Sequence, residues 1–208
     1  MSDVSRMTTV LVLRTCNADL TSHNGFQWKA KGVVTCPDWD PKPECGNGLH
    51  GLLWGEGDGT LLDWDDDAKW LVVKVPADSI VHIGGKVKFP RGTVVFCGAR
   101  DDAIAYLVAH GGENKAIVGG TATAGDRGTA TAGDRGTATA GYGGTATAGY
   151  WGTATAGYGG TLIIRRYAEK AGRYRLELAY VGENGIKPGV AYKLDTRGRF
   201  TEVTEVSP

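Results

Sequence analysis

The middle of the chain alternates small apolar and polar side chains with a period of two, and a turn interrupts this pattern every eight residues. Residues 120–159 read GTATAGDR, GTATAGDR, GTATAGYG, GTATAGYW and GTATAGYG. In an extended strand, the threonines of Thr-Ala-Thr-Ala point to one face and the alanines to the other. Glycines flank each turn, and glycine adopts positive φ without steric cost. One octad therefore predicts one short strand followed by one turn.

Repetition this exact predicts a solenoid, because each octad meets the same neighbours as the octad before it. A closed coil needs two strands, so two octads would form one coil of sixteen residues. We expect alanines between the two sheets of such a coil and threonines on the outside. Five octads make two and a half coils. The stack would rise about 12 Å at the ~4.8 Å spacing of paired strands.

The sixteen-residue period sorts the threonines into two faces and the turn residues into two edges. The first threonine face comprises Thr121, Thr123, Thr137, Thr139, Thr153 and Thr155. The second threonine face comprises Thr129, Thr131, Thr145 and Thr147. The first aromatic edge carries Asp126, Tyr142 and Tyr158, and the second carries Asp134, Tyr150 and Trp151. Large, flat aromatic side chains anchor interfaces at low entropic cost, which makes these four predicted interface residues: Tyr142, Tyr150, Trp151 and Tyr158.

Strand-like runs flank the repeat on both sides. Those before it cover residues 9–13, 70–75 and 93–97, and those after it cover residues 162–167, 174–181, 191–194 and 200–203. Residues 101–110 suit a helix, with two aspartates in the first turn and Ile104, Leu107 and Val108 on one face. We therefore predict a mainly β protein, with an α+β domain over residues 1–116, the β-solenoid over 117–160 and a C-terminal β cap over 161–208. The two flanking parts are expected to cap the ends of the solenoid.

Composition argues against several classes of function. The chain has 23 basic and 23 acidic residues, so its net charge of zero gives no electrostatic reason to expect a nucleic acid or a membrane surface as partner. It has no apolar stretch of membrane-spanning length, and its first residues lack the pattern of a signal peptide. We therefore expect a cytoplasmic protein, whose four cysteines are reduced thiols rather than a disulfide scaffold.

Candidate chemistry is sparse. Cys36, Cys45, His23 and His50 carry the donor atoms of a zinc site, but the Cys-x8-Cys spacing is wider than a usual knuckle and neither histidine repeats at ligand spacing. Structural thiols and an ordinary histidine are the preferred interpretation. The acidic run at residues 63–67 lacks the spacing of a calcium loop, which favours a solvated turn. The sequence thus predicts no cofactor and favours a protein without catalytic activity.

The run from Ala140 to Thr161, AGYGGTATAGYWGTATAGYGGT, resembles the AGYGSTxT octapeptides of bacterial ice nucleation proteins. This resemblance implies sixteen-residue β-solenoid coils, Thr-x-Thr rows that order water, and tyrosine ladders that join two solenoids. Glycine stands at Gly144 and Gly160, where the family has serine, and the chain has fewer than three coils where the family has dozens.

Two weaker resemblances concern the residues before the repeat. The segments GFQW at 25–28, CGNGLH at 45–50 and LVVKVPAD at 71–78 resemble an uncharacterised domain family associated with phage and prophage genes, which implies no activity. Arg14, followed by the aromatic segment at 25–28, resembles the early arginine or histidine that holds NAD in ADP-ribosyltransferases. Those enzymes also need a late catalytic glutamate, and no Glu-x-Glu or Gln-x-Glu pair precedes the repeat.

Three functional interpretations remain. The preferred one is a non-catalytic, homodimeric binding or scaffold protein, derived from a phage or prophage and directed at an unidentified host protein. The second is an ice-binding or water-ordering protein that acts through the Thr-x-Thr rows. The third is an NAD-using enzyme, similar to ADP-ribosyltransferases, in residues 1–116.

Overall fold

A computed structural model describes residues 8–204 of the chain. The chain divides into two compact units, Met1–Lys115 and Ala116–Pro208. Both are built mainly from β-strands, as the alternation of side chains predicts. Within the described range, no helix is both long enough and apolar enough to cross a membrane.

The first unit contains a seven-stranded antiparallel sheet with the order β2-β7-β4-β1-β3-β6-β5. Its strands are β1 (Thr9–Cys16), β2 (Gly32–Thr35), β3 (Leu49–Leu53), β4 (Lys69–Pro76), β5 (Val81–His82), β6 (Val87–Phe89) and β7 (Arg91–Gly98). The three strands predicted from the sequence are β1, β4 and β7, which are neighbours in the middle of the sheet. Their apolar side chains supply half of the buried residues of a core that also contains Trp28 and Phe89.

The predicted helix is present, but its α-helical part is shorter than expected and a different set of residues is buried. Helix α1 covers Arg100–Leu107, and a π-helical turn follows over Val108–Gly112. Ala103 and Leu107 are its buried residues, whereas Val108 is 41 % exposed. The predicted apolar face through Ile104, Leu107 and Val108 is therefore wrong. The buried residues Ala103 and Leu107 are four apart and therefore lie on the same side of the helix. Val108 comes one residue after Leu107, which places it about 100° further round the helix and away from the buried side.

In the second unit each octad forms one strand. The octad strands are β8 (Thr121–Ala124), β9 (Thr129–Thr131), β10 (Thr137–Ala140), β11 (Thr145–Ala148) and β12 (Thr153–Ala156). Alternate strands lie in the same sheet and pair parallel, so that Thr137 stands between Thr121 and Thr153, sixteen residues away on either side. Strands β9 and β11 pair in the same way in the opposite sheet. The predicted sixteen-residue coil is confirmed.

Alanine side chains fill the space between these two sheets. Ala138, Ala146 and Ala154 are fully buried, and the threonines beside them point outward. The period-two alternation therefore predicted the inside and the outside of the solenoid correctly. The core is uniform because every coil contributes the same small side chain.

The residues after the repeat continue both sheets. Their strands are β13 (Thr161–Ala168), β14 (Arg173–Tyr180), β15 (Tyr192–Leu194) and β16 (Phe200–Glu202). Strand β13 stacks parallel on β11, which places Leu162 and Ile164 where alanines stood in the coil below. Strand β14 pairs antiparallel with β13, and β15 and β16 extend the other sheet from β12. The sequence suggested a boundary at residue 161, whereas the structure has these strands share one core with the octads.

The turn geometry differs from the prediction. Within the octads, positive φ falls on the last residue, including Arg127, Arg135 and Trp151, and on glycine only at Gly143 and Gly159. The glycines at the first and sixth positions serve close packing instead. A Cβ atom on Gly141, for example, would lie 2.7 Å from the main-chain nitrogen of Asp126 in the coil below. The expectation that the flanking glycines supply positive φ is therefore wrong.

Candidate functional site on the solenoid surface

The first threonine face is a regular array on strands β8, β10 and β12. Thr121, Thr137 and Thr153 form one row across the strands, and Thr123, Thr139 and Thr155 form the second row. Parallel pairing spaces neighbours in a row by ~4.8 Å, and the two rows lie about 6.6 Å apart along each strand. The array is therefore a grid of alternating hydroxyl and methyl groups, held by backbone hydrogen bonds.

The hydroxyls of the first threonine face are available to solvent. In the described part of the chain they make no side-chain hydrogen bond. The two threonines of β8 are exposed, and the four on β10 and β12 are half-buried by their neighbours in the rows. Water therefore meets these hydroxyls in a fixed arrangement.

The second threonine face is shorter and ends against apolar side chains. Thr161 extends the row of Thr129 and Thr145, a member that the sequence analysis missed because its octad reads GTLIIRRY. In the parallel row Ile163 follows Thr147. Strand β14 then places further apolar side chains beside these rows. The two faces of the solenoid are thus chemically different although their octads are nearly identical.

The first aromatic edge is an exposed ladder. The rings of Tyr142 and Tyr158 stack with centroids 6.2 Å apart and planes 20° from parallel. Their side chains are 53 % and 64 % exposed. Below them, Oδ1 of Asp126 accepts a hydrogen bond from the main-chain nitrogen of Tyr142 at 2.9 Å.

The second aromatic edge is only partly exposed. Trp151 is 67 % exposed and lies 5.4 Å from the Arg135 guanidinium. Tyr150 is half-buried, with edge-to-face contacts to Trp151 and to Tyr174 of β14, each at 5.6 Å. Tyr150 therefore already packs within the molecule, which leaves three of the four predicted interface residues widely exposed.

An ion pair between the buried Asp134 and the half-buried Arg165 lies at this second edge. Asp134 is 2 % exposed, and its Oδ1 accepts hydrogen bonds from the Tyr150 main-chain nitrogen at 2.7 Å and from Nη2 of Arg165 at 2.5 Å. The guanidinium of Arg165 also lies 4.5 Å from the ring of Tyr174. The sequence placed Asp134 on the edge but gave no sign of Arg165, which belongs to the non-repetitive strand β13.

The four weak zinc-ligand candidates are not brought together. Within residues 8–204 no group of three or more His, Cys, Asp or Glu side chains is arranged to hold a metal ion. The Cys36 thiol donates to Oδ1 of Asp38 at 3.0 Å, and burial raises its pKa. Cys45 is exposed and accepts a hydrogen bond from Nζ of Lys86 at 3.2 Å. His23 is exposed in a 3-10 turn.

His50 is distinguished by its environment. Its Nε2 is buried without a hydrogen-bond partner. Burial, reinforced by the positive charges of Lys86, Arg14 and Lys88, lowers the pKa of His50 to about 4. The imidazole is therefore neutral at physiological pH.

Arg14 serves the fold of the first unit. Its guanidinium lies 3.9 Å from the ring of Trp28, and Trp28 packs edge-to-face with Phe26 at 5.3 Å. Its nitrogens donate to the carbonyl oxygens of Thr15 and His50. Burial lowers the pKa of Arg14 to about 10, so it stays charged. The structure thus joins Arg14 to the aromatic segment at 25–28, where the guanidinium covers Trp28.

Comparison with known proteins finds two kinds of similarity. A family model described as a domain of unknown function, DUF7666, matches residues 10–104. The chain is 42 % identical over 103 residues to an ice nucleation protein of Xanthomonas campestris pv. translucens, covering 49 % of this chain and 7 % of the relative. The identity to the ice nucleation protein InaU of Pantoea ananas is 39 % over 103 residues, covering 49 % of this chain and 10 % of the relative.

An ice nucleation protein of Pseudomonas syringae is 41 % identical over 101 residues, which is 48 % of this chain and 9 % of the relative. The chain thus spans a tenth or less of the length of these curated relatives. No solved structure matches it. The resemblance read from the octads is confirmed, because this chain is similar to bacterial ice nucleation proteins at about 40 % identity over half of its length.

Proposed function

We propose that the protein binds ice, or orders water, through the first threonine face. The observation that supports this most directly is the register of β8, β10 and β12, which sets six threonines in two straight rows. A hydroxyl and a methyl group recur at every point of the grid, so the surface offers hydrogen bonds and apolar contacts at fixed spacings. The similarity to proteins named for ice nucleation agrees with this use of the rows.

Rigidity supports the same function. Each threonine sits on a strand that pairs with the neighbouring coil, and the alanines beside the threonines of β10 and β12 are buried. Little conformational entropy is therefore lost when water or ice orders against the array. With six threonines the face suits adsorption to existing ice rather than nucleation, which needs a far larger template.

The test changes the centre of each threonine face in turn. Thr137→Lys with Thr139→Lys should abolish ice shaping and ice adsorption, because two long charged side chains on β10 interrupt both rows. Thr145→Lys with Thr147→Lys makes the same change at the centre of the second threonine face and should retain both activities. Ice shaping under the microscope and partitioning into a growing ice front measure the effect, and circular dichroism checks the fold.

Two results would contradict this proposal. Absence of ice shaping and of adsorption by the unmodified protein would refute it. Equal loss in the two double variants, with both folded, would show that the first threonine face has no special role.

The exposed ladder of Tyr142 and Tyr158 favours a second function, self-association at the first aromatic edge. Stacked, widely exposed tyrosines bury large area at low entropic cost when they meet a second molecule. If the homodimer forms at this edge, Tyr142→Ser with Tyr158→Ser should weaken it by about tenfold or more, measured by sedimentation velocity.

Trp151→Gly is the matched control for this variant. It removes an equally exposed aromatic side chain from the second aromatic edge, where the φ of 61° suits glycine. Dimerisation should survive this change. A monomeric unmodified protein at high micromolar concentration would eliminate the self-association candidate.

A further inference from the structure

Strand β14 lies at the edge of its sheet and carries an exposed apolar surface. The sheet order is β14-β13-β11-β9, so the described part of the chain pairs β14 on one side only. Leu176, Leu178 and Tyr180 are each at least half exposed, and Leu176 reaches 64 %. A long edge strand of this kind is a template for pairing with another chain. Natural proteins often protect such edges with charged side chains, especially lysine, or with proline or a bulge; the segment RYRLELAY has neither lysine nor proline, and its charged residues are two arginines and one glutamate.

The side chains of β14 alternate strictly. Tyr174, Leu176, Leu178 and Tyr180 share one face, and the arginines, Glu177 and Ala179 share the other. Ala179 packs against the core of the solenoid, so the leucines and tyrosines belong to the outer face. Any strand that pairs with β14 must therefore present apolar side chains on that same outer face.

The charges on the inner face of β14 are unbalanced. Arg175 stands directly opposite Arg166 of β13. Glu177 pairs with Arg166, its Oε1 accepting from Nε at 2.6 Å. Like charges directly opposite each other destabilise a pair of strands, and one carboxylate here faces two guanidinium groups. A further carboxylate beside Arg175 would balance this group.

We propose that β14 pairs edge to edge and antiparallel with β14 of a second copy of this chain, with Leu176 opposite Leu176 of the partner subunit. This register places Arg175 opposite Glu177 of the partner subunit, and the two-fold axis repeats that pair. Tyr174 meets Leu178 of the partner subunit on the outer face. Antiparallel pairing of β14 with a second copy of itself thus brings opposite charges together on the inner face and apolar side chains together on the outer face.

Other registers fit less well. Centring the axis on Arg175 or Glu177 places like charges opposite each other at the two-fold. Centring it on Leu178 places Glu177 opposite Ala179 of the partner subunit, so that Arg175 gains no carboxylate. A shift by one residue brings the outer leucines of one copy opposite the charged face of the other. Among these registers, the Leu176-centred one gives Arg175 a carboxylate opposite it and keeps the leucines together on the outer face.

This interface is independent of the proposed ice-binding function. Strand β14 belongs to the sheet of the second threonine face, and the first threonine face lies on the other sheet. Dimerisation through β14 therefore leaves the first threonine face open. It is also distinct from the first aromatic edge, whose tyrosines lie in the turns that follow β10 and β12.

Two single charge reversals in the full chain test the register. Arg175→Glu places like carboxylates opposite each other across the axis, and Glu177→Arg places like guanidinium groups there. Each variant alone should self-associate at least about tenfold more weakly than the unmodified protein in sedimentation equilibrium. An equimolar mixture of the two should regain the dimer, because every pair across the axis is again of opposite charge. Both side chains lie toward the surface, and circular dichroism verifies that each variant is folded.

Recovery in the mixture, after weakening in each variant alone, would establish the interface. The proposal is overturned if the unmodified protein is monomeric at high micromolar concentration, if either reversal leaves the dimer unchanged, or if the mixture fails to recover. Loss of the dimer in Tyr142→Ser with Tyr158→Ser, combined with no effect of the reversals, would assign the interface to the first aromatic edge. None of these outcomes depends on ice binding.

Discussion

Gly149→Ala should destabilise the solenoid unit by about 3 kcal/mol, because the added methyl group has no space between stacked coils. Its Cβ would lie 2.5 Å from the main-chain nitrogen of Asp134 and 2.6 Å from the carbonyl carbon of Gly133. Both atoms belong to the backbone of the coil below. The coils cannot separate without breaking the main-chain hydrogen bonds that join them, such as that from Gly149 to Ala132 at 3.2 Å. Urea unfolding followed by circular dichroism measures the loss.

The same substitution in the first octad is the control for Gly149→Ala. Gly125 occupies the same octad position, but no coil lies beneath it and no heavy atom lies within 4 Å of the added Cβ. Gly125→Ala should therefore change the free energy of unfolding by less than about 0.5 kcal/mol. Equal effects of the two substitutions would contradict the explanation by stacking and would indicate that the turn itself requires glycine.

The octads show why local sequence can predict part of a fold in detail. Alternation of Thr and Ala determines which side chain is inside, and exact repetition determines that residue i stacks on residue i+16. These two properties were sufficient to predict the coil, both threonine faces and both turn edges. The sequence alone did not distinguish a glycine needed for positive φ from one needed for close approach. That distinction depends on the distance to the next coil, as Gly141 illustrates.

The candidate site was predicted least well where the repeat meets the unique tail. Thr161 extends the second threonine face, and Tyr150 loses exposure to Tyr174, because β13 and β14 continue the solenoid with different side chains. The pairing of Asp134 with Arg165 spans 31 residues. Contacts of this kind follow from the register of stacked coils and leave no trace in local spacing.

In the first unit, residue type alone could not decide which side chains lie close together. Cysteines and histidines with suitable donor atoms occur in one stretch of sequence, but the sheet distributes them among separate environments. The sequence analysis singled out Arg14 and the aromatic segment at 25–28 only through a resemblance to ADP-ribosyltransferases, and the contact between the Arg14 guanidinium and Trp28 was not predicted. Neighbouring strands of the sheet come from segments that are distant in the chain, in the order β2-β7-β4-β1-β3-β6-β5. A local pattern of apolar and polar residues cannot predict such an order.

Asp134→Ala should lower the free energy of unfolding of the solenoid unit by about 2 kcal/mol, because the half-buried Arg165 guanidinium loses the buried carboxylate that accepts its hydrogen bond. Nε of Arg165 is already buried without a hydrogen-bond partner. Loss of Asp134 therefore removes the carboxylate that compensates the partial burial of the guanidinium. The main-chain nitrogen of Tyr150 loses its acceptor as well. Urea unfolding of the variant and of the unmodified protein at neutral pH measures the difference.

Asp126→Ala separates these two contributions, since the two aspartates occupy the same position in successive octads. Asp126 is exposed and accepts the corresponding hydrogen bond from the Tyr142 main-chain nitrogen, but its position lies on the edge opposite to Arg165. Its replacement should cost only about 1 kcal/mol. Combining Asp134→Ala with Arg165→Met should then recover part of the larger loss, because the buried charge disappears together with its partner. If Asp134→Ala cost no more than Asp126→Ala, the stability of the second edge would come from main-chain capping alone and the ion pair would contribute nothing.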